Sequence, residues 1–308
     1  MDRPLPKHTR YLPIPLSDLL RALAVILLWG LNFVVIKLGL DSLPPMLLGA
    51  MRFTLAAIPA VFFIPRPRIP LRWLIAYGMT ISFGQFAFLF SAMTSGMPAG
   101  MASLVLQSQA FFTLMLAAAL LGEKARIHNL AGLLVAATGL LLIGLQSGSS
   151  MTTLGLILTL CAALMWACGN IITKQVGQVN LTSLVVWGSL IPPIPFMAMS
   201  FWLEGPQQIH QALSEVSGTA IFALFYLAFG ATLIGYDLWS RLLSRYPAGR
   251  VAPFSMLVPV VGLSSSSLIL GEKLNEMQIL GALLIMLGLA VNVFGGALRR
   301  RGRPLQQG

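Results

Sequence analysis

Trp29-Gly-Leu-Asn-Phe-Val-Val-Ile-Lys37 and Trp166-Ala-Cys-Gly-Asn-Ile-Ile-Thr-Lys174 each place a lysine eight residues after a tryptophan, and the two segments lie 137 positions apart. Farther along, Pro98-Ala-Gly100 recurs as Pro247-Ala-Gly249 and Leu121-Gly-Glu-Lys124 as Leu270-Gly-Glu-Lys273, now 149 positions apart. Gly132 and Gly139 recur as Gly281 and Gly288 at that same offset of 149. The twelve-residue change in offset falls between the sixth and eighth apolar runs, where the longest link, from Glu204 to Gly218, also lies. One insertion explains both facts, so the chain reads as two copies of one unit.

The composition says where such a unit can live. Of 308 residues, 57% are hydrophobic and 9% charged, with a mean hydropathy of +0.84. Soluble domains carry about 25% charged residues. This chain has too little polar surface to coat a water-soluble globule, which excludes a cytosolic enzyme and a nucleic-acid binder. Cutting the apolar runs at proline, glycine and charge clusters predicts spans at 17–39, 44–64, 71–94, 97–121, 127–146, 152–174, 181–203, 217–243, 247–270 and 275–297. Each is near the ~20 residues that cross a bilayer as a helix. The first run is long enough to span, so it reads as a retained helix rather than a cleaved signal peptide.

Five spans per copy is an odd number, so the second copy enters the membrane in the opposite sense. The expected fold is an all-α polytopic membrane protein with ten transmembrane helices as two inverted five-helix repeats. The chain divides into an N-terminal tail 1–16, a first repeat 17–146, a second repeat 152–297 and a basic C-terminal tail 298–308. The charges agree with this inversion. With the N-terminus in the cytoplasm, seventeen of the twenty Lys and Arg fall on the inner side, Lys37 and Lys273 fall outside, and Arg52 lies within a span. The positive-inside rule therefore predicts both termini cytoplasmic, in a bacterial inner membrane. The net charge of +11 is a topology signal; attraction to lipid headgroups follows from it, and no nucleic-acid partner is expected.

Inverted repeats of this kind mark secondary transporters, with the substrate near the bilayer midplane between the halves. A membrane enzyme lacks its parts here. His8, His128 and His210 sit in termini or links, and no HExxH, phosphate-cradling GxxxxGK[ST] loop or carboxylate dyad occurs. Cys161 and Cys168 lie about 10 Å apart along one helix, too far for a disulfide, and read as packing residues. No metal or cofactor is expected. A channel is expected to show a ring-forming filter and no inverted halves.

These segments resemble the drug/metabolite transporter superfamily in its ten-helix EamA branch. The resemblance spans almost the whole chain. It rests on Trp29-Gly-Leu-Asn-Phe, Arg52, Pro98-Ala-Gly100, the two Leu-Gly-Glu-Lys segments and the glycine-rich fifth and tenth helices. Ile81-Ser-Phe-Gly-Gln-Phe-Ala-Phe-Leu-Phe90 and Arg250-Val-Ala-Pro-Phe-Ser-Met-Leu-Val-Pro-Val-Val-Gly262 look most like the bacterial exporters of O-acetylserine and cysteine. The resemblance implies export of amino acids and related small metabolites. It also implies a central cavity lined by helices one, three, four, six, eight and nine, with five and ten at the periphery. A flippase for lipid-linked or other amphipathic metabolites, or a drug exporter of the same superfamily, is the alternative.

Within the spans, polar residues are the candidates for a site. Arg52 lies about 12 Å along the second helix and stays charged; it reads either as a clamp for a substrate carboxylate or as a structural cap. Asp237 precedes Arg241 by one helical turn, so the two are either a proton-coupling or ammonium-binding site or a static ion pair. Ser82, Gln85, Ser103 and Gln107, with Asn32 and Asn170, carry donors and acceptors suited to a zwitterion. Gln109 and Thr113 form a different stripe. Trp29, Trp166, Tyr226 and Tyr236 are aromatic cavity candidates, whereas Trp239 suits an interface belt. Pro253 and Pro259 predict a kink in helix nine, fixed or gating. The glycine rows of the fifth and tenth helices predict close packing within the chain, with a homodimer through them as the second reading.

Overall fold

The computed structural model describes residues 14–124, 126–145 and 151–301, with the backbone alone for Ala248, Gly249, Ala252 and 296–301. Arg3, Lys7 and Arg10 of the N-terminal tail and Arg303 of the C-terminal tail lie outside the described residues. Those described form helices joined by short turns. We label them α1 (Leu16–Leu40), α2 (Pro45–Val61), α3 (Leu71–Thr94), α4 (Ala99–Leu121), α5 (Ile127–Leu145), α6 (Thr153–Val176), α7 (Leu181–Ser214), α8 (Gly218–Arg245), α9 (Ala248–Ser255 and Val258–Leu270) and α10 (Glu276–Arg301).

Among the described residues nine helices are long and apolar enough to cross a membrane, and α2 is a shorter apolar helix of 17 residues. Proline sets both limits of α2. Pro45 occupies its first turn, where the missing N–H costs nothing, and Pro65 and Pro67 stop it. The expected end at 64 therefore retreats to Val61. Beyond Glu204 the expected link is instead a helical stretch, Gly205–Ser214, set off by the positive φ of Gly205. It is amphipathic, burying Ile209 and exposing most of its polar residues.

The duplication shows in the irregularities. α3 carries a π-helical turn at Gly78–Gly84 and α8 one at Tyr226–Ile234, which overlap at the offset of 149. α4 tightens into a 3-10 turn at Leu106–Ser108, and α9 breaks between Ser255 and Val258 at the corresponding place. Extended helix would not repeat such defects by accident, since each costs hydrogen bonds that must be satisfied elsewhere.

α1 is central, packed on both segments of α9 and on α8 and α4. α5 and α10 pack chiefly on each other at the edge. There Gly132 faces the Gly288 carbonyl and Gly139 that of Gly281, so close that an added Cβ would meet the opposing carbonyl oxygen at 2.6 Å in both cases. These glycine faces are thus used within the chain. Large apolar side chains such as Phe63, Trp202 and Leu268 point outward, as they do where hydrocarbon is the solvent. The helix ends sort by charge. Arg66, Arg68, Arg72, Lys174 and Arg245 gather at one end, here called basic. Asp41, Glu204, Glu215, Glu272 and Glu276 gather at the other, here called acidic.

Candidate functional site

A cavity of about 340 Å³ lies between the two copies and reaches toward the basic end, where Thr173, Leu181 and Leu243 line it. Trp29, Asn32 and Phe33 enter from one face of α1, and Tyr77, Ile81, Gln85 and Leu89 from one face of α3 across its π turn. Ser103 and Gln107 come from α4, Trp166 and Asn170 from α6, and Tyr236 and Trp239 from α8. Arg52 of α2 and Leu181 and Val185 of α7 add to the six helices expected. The π turn of α8 helps to seat Trp29. With the helical ladder locally rearranged, the Ala231 carbonyl accepts from Trp29 Nε1 at 3.0 Å. Gly235 leaves the room: an added Cβ would stand 2.6 Å from that indole nitrogen. Trp29 then stacks near Tyr236 and Trp239, with ring centroids at 5.2 and 5.4 Å.

Arg52 is the electrostatic centre of this wall. It is 3% exposed. Its Nη2 donates to Thr232 Oγ1 at 3.3 Å, and its guanidinium lies 4.0 Å from the Phe86 ring centroid. Cation–π contact offsets part of the cost of burying the charge. Nε and Nη1 have no hydrogen-bond partner in the protein, and neither do two buried acceptors nearby, Asn32 Oδ1 and Gln85 Oε1. Both of these residues line the same cavity as Arg52. A buried guanidinium cannot shed its proton, so unfilled bonding capacity of this kind is costly and calls for an acceptor, a water or an anion.

Trp29, Asn32, Arg52, Gln85, Ser103, Gln107, Trp166, Asn170 and Tyr236 all meet at the cavity. Asn170 donates to Gln109 Oε1 at 2.9 Å and to Thr113 Oγ1 at 3.1 Å, so the Gln109 stripe holds a wall residue in place. Ser82 instead faces a small recess behind Arg52 with Ser189 and Thr232. Tyr226 stays away, because its hydroxyl donates to the Leu28 carbonyl at 2.9 Å and locks α8 to α1. Trp239 lines the cavity rather than a belt. Its helix is rotated toward α1 beyond the π turn, which uniform helical spacing does not foresee.

Asp237 and Arg241 form an ion pair at 2.7 Å, more than a third exposed on both sides, and neither lines the cavity. Pro253 lies in the first segment of α9 and Pro259 opens the second, on either side of the break. The most buried carboxylate of the described residues is one that hydropathy reading passes over, Asp18 in the first turn of α1. It takes Arg245 Nη1 at 3.1 Å and Tyr246 Oη at 2.6 Å and also pairs with Arg21. The bond to Asp18 raises the Tyr246 phenol above its usual pKa. Its signal was an acid one helical turn before an arginine at a helix start.

At the acidic end the copies are closed. Both Glu272 oxygens accept from the N-terminus of α4, Oε1 from Ala99 N at 2.7 Å and Oε2 from Gly100 N at 2.9 Å. A Cβ on Gly100 would stand 2.2 Å from Ser266 Oγ, and one on Gly262 would stand 2.4 Å from Ser103 Oγ. The model of the EamA-like transporter family matches twice, at 16–145 and at 153–294. The chain belongs to the EamA-like transporter family. It is 52% identical over 288 residues to the "Probable amino-acid metabolite efflux pump" of Salmonella typhimurium strain LT2, covering 92% of this chain and 96% of that one. Against the protein of the same name from Escherichia coli strain K12 it is 52% identical over 285 residues, covering 91% and 95%. An uncharacterised inner membrane transporter of Escherichia coli strain K12, YedA, is 25% identical over 302 residues, covering 95% of this chain and 92% of that one. A solved crystal structure superposes with a TM-score of 0.61 at 22% identity, covering 94% of this chain and 99% of that one. The solved structure shares the fold, and this EamA protein is a multi-pass membrane transporter.

Proposed function

We propose that this chain exports zwitterionic amino-acid metabolites of the cysteine and O-acetylserine class across the inner membrane. The observation that carries the reading is the set of unpartnered buried groups around one cavity: Arg52 Nε and Nη1 as donors, Asn32 Oδ1 and Gln85 Oε1 as acceptors. A substrate carboxylate would accept from Arg52, and its ammonium would donate to the two amide oxygens. The neutral amides suit an exporter that must also empty, because they hold the ammonium without a fixed counter-charge. Names carried by relatives at 52% identity, amino-acid metabolite efflux pumps, support the same substrate class.

In this reading α2 is the tenth span, the basic end faces the cytoplasm, and both termini lie there. The distribution of Lys and Arg supports that sense. The cavity then takes substrate from the cytoplasm, and rocking of the inverted halves exposes it outside. No carboxylate lines the cavity among the described residues, which favours export down the cellular gradient over proton antiport.

The test is counterflow of labelled cysteine, threonine and O-acetylserine in proteoliposomes, with and without a pH gradient. Saturable counterflow independent of the gradient is expected. Arg52→Met should lower kcat/KM about 100-fold, the loss of one charge-assisted pair in a dry site. It should do so for zwitterions and not for a decarboxylated amine analogue. Equal loss for both would sink the clamp.

A further inference from the structure

The two copies carry the same Leu-Gly-Glu-Lys segment but use its glutamate differently. Glu272, after α9, caps the first two amide groups of α4. Glu123, after α4, is the equivalent residue at the offset of 149, and the equivalent amides are those of Ala248 and Gly249, where α9 begins. Instead Glu123 is half exposed, with both oxygens 3.0 Å from Lys174 Nζ. Lys174 is the repeat mate of Lys37, which pairs with Asp41 at 3.2 Å. The first segment of α4 packs along the second segment of α9 at the acidic end, and no comparable packing joins the second segment of α4 to the first of α9 at the basic end among the described residues.

We propose that Glu123 and Glu272 are alternating latches. When the basic end closes, Glu123 leaves Lys174 and caps the amides of Ala248 and Gly249. Glu272 then releases Ala99 and Gly100 and turns to Lys37. The exchange is physically balanced. In each state one glutamate satisfies two helix N-terminal donors and meets the positive end of the helix dipole, while the other keeps an exposed ion pair of small worth. Inverted symmetry supplies the second state, since it requires that what closes one end has an equivalent at the other. The latch rests on the alternating-access reading above, and its test separates the two.

The reporter is Thr173→Cys at the cavity wall near the basic end, in full-length protein with Cys161 and Cys168 replaced by Ala, purified in detergent. The readout is the rate of reaction with a charged maleimide. Glu272→Ala should slow labelling at least about tenfold, the population shift expected from losing its two charge-assisted hydrogen bonds. Lys174→Gln, which frees Glu123, should slow it about threefold, the worth of an exposed pair. Adding Glu123→Ala should restore the fast rate in both backgrounds. Slow labelling that persists with Glu123→Ala overturns the latch while leaving alternating access standing. A rate untouched by Glu272→Ala, and equally by the milder Glu272→Gln, overturns the latch, and saturable counterflow retained in those variants keeps the transport reading standing. Glu123 is exposed, so its loss leaves folding intact, and the melting temperature of each variant controls for damage at Glu272.

Discussion

The acidic and basic ends of this transporter carry equivalent segments of the two copies and are packed differently. At the acidic end Glu272 ties α9 to α4, and Gly100 and Gly262 let the helices close on Ser266 and Ser103. At the basic end the equivalent Glu123 lies half exposed against Lys174 and the cavity reaches toward it. Under the export cycle proposed above, one end closed and the other open is one of two exchanging states, and the inverted symmetry would supply the other. The difference lies in contacts made between the copies, since the π turns of α3 and α8 and the interruptions of α4 and α9 are shared.

Wedging the closed end apart is the strongest way to break this comparison. With the native cysteines replaced, Gly100→Leu puts a Cβ 2.2 Å from Ser266 Oγ and its branches against Leu263 and Glu272, so the acidic end should be held apart. Counterflow should fall to background, and labelling of Thr173→Cys from the basic end should slow about tenfold. Labelling and transport that both match the unaltered protein would mean the acidic end need not close, and the two ends would not be alternates.

The sequence carried more of the architecture than of the site. The repeat could be read because Trp29 and Trp166, the two Leu-Gly-Glu-Lys segments and the paired glycines sit in local patterns that survive duplication. Helix existence followed from run length, and only proline-bounded or glycine-bounded ends moved, as at Val61 and Gly205. Site residues depend on helix rotation, and periodicity assumes a rotation of 100° per residue that a π turn violates. Asn32, Gln85 and Ser103 line the cavity as their spacing suggests, whereas Tyr226, in the π turn of α8, turns to the Leu28 carbonyl and Trp239, beyond it, lines the cavity. Nothing at helical spacing marks Tyr77 as a wall residue, and Asp18 sits at a helix end where a charge is ordinary, so neither stands out in the sequence.

Asp18 separates the ends in another way. Its repeat equivalent at the offset of 137 is Gly155, so the tie from α1 to Arg245 and Tyr246 has no counterpart at the acidic end. It acts as a fixed anchor between α1 and the end of α8 rather than a gate. Asp18→Asn strands Arg245 and Tyr246 and should lower the melting temperature more than Glu123→Ala does. The open-end labelling rate of Thr173→Cys should stay within about twofold, a shift too small to move the two-state balance. A large rate change with an unchanged melting temperature would make Asp18 part of the gate.

Asp237 should matter least. Its pair with Arg241 runs acid before base over one helical turn, at 2.7 Å, with 36% and 61% of the side chains exposed. Such pairs contribute about 0.3–0.5 kcal/mol. Asp237→Asn should therefore move the melting temperature by no more than about 2 °C in a chain of this size. The functional argument runs the same way. A proton carrier has to face the cavity and be reached from each end in turn, and Asp237 lies outside the cavity wall that Tyr236 and Trp239 form on the same helix. Counterflow by Asp237→Asn, and its response to an imposed pH gradient, should match the unaltered protein. If the gradient response disappears in this variant alone, the basic end carries a coupling site, and the difference between the ends includes chemistry as well as closure.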